Sequence, residues 1–442
     1  MSASSGAVPD TQVADDAVTT PHGGQVRAIP TPSARSRRAP PRGAQRAAYE
    51  SGPVRIASQK GVPHVKGRRE GLTGAIPPQE WRQCQNFIED FSVTTNGMGP
   101  PAGAVAAARS APIDHYPPAN FEPHLSDLAD FLWPGKATEY HACLQLGNGA
   151  SELIDLVIRS CATVGTWRPG PSMVQYEEYK RSAEAAGFVR TSADDDSANL
   201  MCLVNPTNPT GDYMRIEALK CYIQARCRRG TCVLVDESMQ PWVGEKWRED
   251  SLVSQGEWRR KMSVEEGVDV FVIHSWTKVW ACTGIRLGSV IAPTPAHMTT
   301  IKSKQVPWSV NCMALAFLSA AVQDKQYLET MWEQTPQFRR FQVEEIGRHF
   351  PSWRCIGESF LSWVWIEMPD EMVAERAVAV AKLNGTPVRW GKPGYRLPKI
   401  IRIAVRNPEL TTHLLNAWKK EFAQVASPIN VDAVCDTIAV VS

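Results

Sequence analysis

One lysine stands out for the company it keeps. Ser275-Trp276-Thr277-Lys278 follows the apolar run Val268–His274 and is itself followed by Gly284-Ile285-Arg286-Leu287-Gly288, so an amine, two hydroxyls and a guanidinium fall within twelve residues. A phosphate carried beside an aldehyde needs this equipment. The amine captures the carbonyl carbon, the hydroxyls donate to phosphate oxygens, and the guanidinium pairs with them bidentately. Ser-x-Thr-Lys alone would be explained as well by a solvated lysine at a strand end; the attached Gly-x-Arg-x-Gly tips the reading toward chemistry.

Three further segments could complete such a site. Gly147-Asn148-Gly149-Ala150-Ser151-Glu152 stands just before a helical pattern, where free N–H groups and the helix dipole favour an anion. Taken alone it reads equally as an N-terminal turn capped by Ser151, and it lacks the third glycine of a dinucleotide fingerprint. Asn205-Pro206-Thr207-Asn208-Pro209-Thr210-Gly211 specifies a tight turn after the apolar run Leu200–Val204, at a strand end where α/β proteins place ligands. Asp236-Glu237 closes the run Thr231–Val235, and a carboxylate there is placed to keep a pyridine nitrogen protonated. Arg402, inside the apolar run Ile400–Val405, requires a carboxylate partner, and either a protein side chain or a substrate would serve.

The elements that must position these residues follow from the patterning. Helical periodicity at Ser151–Arg159, Tyr176–Ala186 and Ile216–Arg228 alternates with strand runs at Met173–Val174, Leu200–Val204, Thr231–Val235, Val268–His274 and Ile285–Ile291. That alternation predicts an α/β fold around a mostly parallel sheet. A long helical pattern runs from about residue 307 to 348. Strands at Leu361–Ile366 and Ile400–Val405, with helices at Glu371–Leu383 and Thr411–Phe422, then predict a smaller α+β domain. At 442 residues the chain is long enough for two such domains. Residues 1–75 are rich in Ser, Ala, Pro, Gly and Arg and lack apolar periodicity, which predicts a disordered basic leader. A solvated extension, an organellar transit peptide and, less readily, a nucleic-acid-binding arm are the readings it admits, so the expected location is the cytoplasm or an organelle.

Composition narrows the function classes. A net charge of +2 gives no reason to expect a polyanion partner, and no apolar run approaches the length of a membrane helix. The eleven cysteines are odd in number and form no C-x-x-C pair, and the histidines lack metal spacing, so free thiols and no metal are expected.

Taken in order, G-N-G-A-S-E, N-P-T-N-P-T-G, D-E, S-x-T-K followed by R-x-G, and R-I-A-V-R resemble the class I/II aminotransferases. More narrowly they are similar to the branch holding histidinol-phosphate aminotransferase and threonine-phosphate decarboxylase. The likeness spans about residues 90–422, and Asp90-Phe91-Ser92 and Pro307–Asn311 look especially like the decarboxylase side. It implies fold type I, with a seven-stranded sheet in a large domain at 126–310. An N-terminal arm and part of the small domain would occupy 76–125, an interdomain helix and the small domain 311–425, and a tail 426–442. It also implies pyridoxal 5′-phosphate, with Lys278 as the Schiff-base lysine that also shuttles the α-proton. Asp236 would pair with the pyridinium nitrogen and Asn208 would donate to the ring oxygen. Ser275, Thr277, Arg286 and the Ala150–Ser151 backbone would hold the phosphate. Tyr116 would reach the phosphate of a neighbouring subunit in a homodimer. Arg402 would grip the substrate α-carboxylate, Arg389 a distal phosphate or carboxylate, and Asn96 would also face the substrate.

Two departures from the pattern bear on substrate. The residue three beyond the aspartate, often tyrosine in the family, is Met239 here. The position that stacks on the cofactor falls on Met173, with Tyr176 three residues further on. The resemblance implies amino transfer between an amino acid or amino-alcohol phosphate and a 2-oxo acid. The same residues would serve an amino-acid decarboxylase, which differs in the bond at Cα that is broken. A third reading is a binding protein on a retired aminotransferase fold. Joint retention of Lys278, Asp236, Asn208, Arg286 and Arg402 speaks against it.

Overall fold

The structure, a computed structural model, describes residues 86–426. The leader 1–75 lies outside the described residues, as does the tail from 427. The large sheet has seven strands: β1 Leu144–Asn148, β2 Thr166–Gly170, β3 Val189–Arg190, β4 Leu200–Val204, β5 Cys232–Asp236, β6 Asp269–His274 and β7 Leu287–Ile291. Their order is β1-β7-β6-β5-β4-β2-β3. Strands β3, β2, β4, β5 and β6 pair in parallel, and β7 runs antiparallel between β6 and β1.

Near-continuous apolar runs are what a sheet covered on both faces requires. Met201, Leu203, Val233, Val235, Val270 and Val272 enter one core, shared with the helices Ala102–Arg109, His124–Leu132 and Cys312–Gln323. Their strand neighbours Leu200, Cys202, Val204, Leu234, Phe271 and Ile273 enter a second core beneath the helices Ala150–Ile158 and Glu178–Ala185. Strict alternation, with both sets buried, fixes the register of the central strands.

The expected strand at Met173–Val174 is not there. The strand lies at Thr166–Gly170, and the chain from 171 to 177 is irregular. Pro169 and Gly170 hide that strand from pattern reading. Proline is tolerated because pairing on the β3 side stops at Trp167, so no neighbour on that edge asks for its missing N–H.

The smaller sheet is antiparallel throughout, in the order β10-β11-β9-β8: Arg389–Trp390, Ile400–Ala404, Trp363–Glu367 and Arg354–Ile356. Ile401, Ile403, Val364 and Ile366 face a core made with the helices Lys325–His349, Glu371–Leu383 and Pro408–Ala426. The opposite face carries Arg402, Trp365 and, across the ladder, Arg389. That face looks onto the large sheet.

Candidate active site

The parallel strands all end at one edge, and the motifs sit there. Asn205–Gly211 follows β4, Asp236 ends β5, Ser275–Lys278 follows β6, and Gly147–Ser151 joins β1 to its helix. Because β7 is antiparallel, its first residues come to the same edge and bring Arg286 with them. This is the ligand edge of an open α/β sheet.

A cavity of about 330 Å³ opens there, lined by Ala150, Ser151, Asn208, Asp236, Ser275, Thr277, Lys278, Arg286 and Arg402. Nine of the residues singled out by sequence therefore converge. At one end, the Gly147–Ser151 turn and Arg286 form a cradle. Gly149 has φ +78°, and a Cβ on it would collide with the Arg286 guanidinium. A Cβ on Gly288 would stand 2.6 Å from the Ala150 nitrogen, so β7 can press against the helix start only without a side chain there. The Ser275 and Thr277 hydroxyls lie 2.9 Å apart. Backbone N–H groups at a helix start, two hydroxyls and a guanidinium make a dianion site.

Lys278 sits on a short turn, Trp276–Val279, that is held from behind. The Asn96 backbone N donates to the Lys278 carbonyl at 3.0 Å, while Asn96 Nδ2 (3.1 Å) and the Tyr327 hydroxyl (3.1 Å) donate to the Val279 carbonyl. Trp276 Nε1 donates to Ser289 Oγ at 2.9 Å. Burial, followed by the positive charges of Arg402 and Arg286, pushes the Lys278 amine down to about 8. A lysine so placed holds much of its amine neutral, and hence nucleophilic, at mildly alkaline pH. Asp236 is buried, which raises its pKa. Donors at Ser238 and Tyr179 and the Lys278 charge act against that rise.

The other wall comes from the small sheet and the segment 89–95. Arg406 staples that segment, pairing through Nε with Glu89 (2.8 Å) and donating to the carbonyls of Thr95 (3.0 Å), Asp90 (2.9 Å) and Val93 (3.2 Å). Ser92, Val93 and Thr94 thereby reach the cavity. Arg402 donates from Nη1 to Asn208 Oδ1 and from Nη2 to the Ser92 carbonyl, each at 2.6 Å, and its Nε is buried without a partner. With Oδ1 engaged, Asn208 keeps its Nδ2 to donate elsewhere. Arg389 lies directly opposite Arg402 across the β10–β11 ladder, and its Nε too is buried and unpartnered. Burial, with Arg389 as a further influence, lowers the pKa of Arg402.

Two sequence expectations need correction. Met173 is about half exposed and does not line the cavity; Tyr176 does, beside Ser151. The irregular path of 171–177 shifts the aromatic contact one helical turn on. Asn96 faces away from the cavity, its amide spent on Val279 and on the Met98 N–H (3.0 Å), so it supports the lysine turn instead of meeting a substrate. Arg389 is not in the cavity lining. Tyr395 is, and the Arg389 guanidinium lies 5.4 Å from the Tyr395 ring centre. Tyr116 is largely exposed and packs at a tilt against Trp308, with ring centres 4.8 Å apart and planes at 35°. Sequence reasoning missed Ser238, Tyr395 and Ser92, which reach the cavity from an ordinary strand end and two irregular segments.

The sequence profile of aminotransferase class I and II matches residues 100–417. The chain belongs to that family. Family membership implies pyridoxal 5′-phosphate as cofactor. The chain is 26% identical over 312 residues to a histidinol-phosphate aminotransferase of Bdellovibrio bacteriovorus, covering 62% of this chain and 79% of that one. Its fold matches the histidinol-phosphate aminotransferase of Sinorhizobium meliloti solved with pyridoxal-5′-phosphate (TM-score 0.64, 18% identity, 80% and 96% of the two chains). It matches L-threonine-O-3-phosphate decarboxylase from Porphyromonas gingivalis to a similar degree (TM-score 0.63, 14% identity, 76% and 100%). The expected α/β architecture, with its mostly parallel seven-stranded sheet, is thus the fold-type I architecture. No helix among the described residues is long and apolar enough to cross a membrane.

Proposed function

We propose that this family member uses pyridoxal 5′-phosphate to move an amino group between an anionic amino substrate, an amino acid or amino-alcohol phosphate, and a 2-oxo acid. The observation that carries the substrate side is the pair Arg389 and Arg402. Like charges directly opposite on a ladder are destabilising, and a buried N–H left unpaired costs about 1–3 kcal/mol. Here both penalties fall on the same two residues, whose Nε atoms are the buried guanidinium nitrogens without a partner among the described residues. Anionic groups bound at each would relieve both penalties.

The cavity suits the cofactor. Gly147–Ser151, Ser275, Thr277 and Arg286 would hold its phosphate, Asn208 Nδ2 would donate to the ring oxygen, and Asp236 would pair with the ring nitrogen. Tyr176 would cover the ring, the part expected of Met173. When bound, the cofactor supplies an aldehyde that captures amines and a ring that draws electrons away from Cα. Lys278, neutral above about 8, supplies the capturing amine and then holds and returns the proton at Cα. Arg402 orients the α-carboxylate through its free edge. Arg389, behind Tyr395, answers a second anionic group on the substrate.

A second copy of the chain would complete the site. Ile113, Tyr116, Val306, Trp308 and Met313 form an exposed apolar face joined by the Tyr116–Trp308 ring contact and by Cys312 Sγ donating to the His115 carbonyl at 3.4 Å. A face of this kind suits a homodimer, with Tyr116 reaching the neighbour's phosphate. Trp308→Glu should then give a monomer with weakened cofactor binding, read by light scattering and cofactor titration. A variant that stays dimeric sets this face aside.

The functional test is a screen of amino donors on purified protein with a 2-oxo acid as acceptor, reading the donor's oxo product (a 2-oxo acid, or an oxo-alcohol phosphate) and carbon dioxide release together. Oxo product without carbon dioxide supports amino transfer. Carbon dioxide without oxo product assigns the decarboxylase reaction instead.

A further inference from the structure

The ladder between β5 and β6 ends at Asp236 opposite Ile273, with one more bond from the Glu237 N–H to the Ile273 carbonyl at 2.9 Å. Beyond that point the two chains turn apart, one into Glu237–Met239 and the other into the turn that carries Lys278. The Ser275 N–H would then have no strand partner, and an orphaned backbone donor at a part-buried position is costly. It finds Ser238 instead, donating to Oγ at 2.7 Å. The Ser238 backbone N–H donates to Asp236 Oδ1 at 2.8 Å. Ser238 thus joins the two chains, its backbone N–H holding the Asp236 carboxylate and its hydroxyl oxygen holding the Ser275 N–H, and its donors act against the rise in the Asp236 pKa.

We propose that Ser238 is a positioning residue for the reaction, its backbone N–H gripping the Asp236 carboxylate and its hydroxyl gripping the main chain at Ser275, so that the acid and the lysine turn are held in one fixed relation. The inference rests on reading the cavity as a pyridoxal-phosphate site. An acid buried as Asp236 is tends to take up its proton and fall neutral. A neutral acid would no longer hold a proton on the ring nitrogen. Ser238 supplies a backbone donor to that acid, and its hydroxyl oxygen fixes where the next strand's turn begins. Tyr179 stands behind this arrangement. It is fully buried, one helical turn from Tyr176, and its hydroxyl is without a well-formed partner while Asp236 acts on it. It can support the carboxylate but does not join the two strands as Ser238 does. Alanine at 238 would keep the backbone donor and lose the tie.

The test uses the full-length chain as wild type, Ser238→Ala and Ser238→Thr, with two readouts. The first is amide hydrogen exchange at Ser275 in the cofactor-free protein. Exchange should be about tenfold faster in Ser238→Ala, the equivalent of one lost hydrogen bond, and close to wild type in Ser238→Thr. The second is affinity for pyridoxal phosphate against its analogue with carbon in place of the ring nitrogen. The preference for the natural cofactor should shrink about tenfold in Ser238→Ala and recover in Ser238→Thr. Unchanged exchange at Ser275, or an equal loss of affinity for both cofactors, overturns the inference. If wild type binds neither cofactor, the reading of the cavity fails, and the exchange measurement alone then decides the Ser238 tie.

Discussion

The two walls of the cavity are built on opposite plans. On the large sheet the lysine, the acid and the phosphate cradle stand at strand ends, and the turn carrying Lys278 accepts from Asn96 and Tyr327 and donates to Ser238 and Ser289. On the small sheet, two arginines face each other across a ladder with a buried nitrogen unsatisfied on each. The first wall is finished around its lysine turn before any ligand arrives, and the other is finished by the ligand. The difference suits a shared cofactor chemistry on one side and a choice of substrate on the other, because a preorganised wall loses little freedom on binding while an unsatisfied one rewards only the right partner.

The sharpest way to break this comparison is to make the same substitution on each wall. Arg402→Lys keeps the charge and loses the fork. The loss of one charge-assisted hydrogen bond, about 1.5–3 kcal/mol, corresponds to roughly ten- to two-hundred-fold in kcat/KM for amino acids. Cofactor affinity should stay near wild type. Arg286→Lys should do the reverse, weakening the cofactor while leaving the KM for the amino donor nearly unchanged once the enzyme is saturated. Equal effects of both variants on both quantities would dissolve the distinction between the walls. Half-reaction rates and cofactor titrations supply the numbers.

Arg389→Gln should act more narrowly. For donors with a distal phosphate or carboxylate, kcat/KM should fall about tenfold, the size of one exposed charge-assisted contact. Alanine as donor should be used as well as before. Were alanine slowed to the same degree, Arg389 would be supporting Arg402 and Tyr395 instead of reading the substrate.

The contrast also explains how much was legible. Lys278, Asp236, Asn208 and Arg286 could be read because each is tied to a strand end by a turn motif of fixed residue type. The apolar runs gave β4, β5, β6 and β7 to within a residue or two. β2 was hidden by Pro169 and Gly170, whose tolerance depends on a neighbour strand that sequence does not reveal. Met173 was preferred to Tyr176 because spacing alone cannot show that 171–177 is irregular. Asn96 and Arg389 were expected to face a substrate. Where an amide or guanidinium points is decided by partners nearly two hundred residues away in one case and by the intervening Tyr395 in the other. Ser238 carried no pattern at all.

The last effect falls on stability and not on turnover, and concerns the first wall's own cost. Glu237 is fully buried, accepting from the Ser251 hydroxyl and from the Leu252 N–H at 2.9 Å, and burial pushes its carboxyl up to about 7 from an ordinary 4.5. The native state thus keeps a proton that the unfolded chain releases. The stability this contributes is full below about 4.5 and is lost as pH rises through about 7. Glu237→Gln should remove that part of the pH dependence, at most about 3 kcal/mol across the window. Thermal melting of the cofactor-free protein between those pH values measures it. A variant with the wild-type slope would place the titration elsewhere.

The central claim is that Lys278, on the finished wall, is the amine that captures the cofactor. Incubating the full-length protein with pyridoxal phosphate, reducing with borohydride and mapping the peptides tests it directly. The account predicts one pyridoxyl group, on Lys278, with labelling that grows with pH and levels off above about 8, where an ordinary lysine would still be gaining toward 10.5. Label on another lysine, or none on a soluble, folded protein, would contradict it.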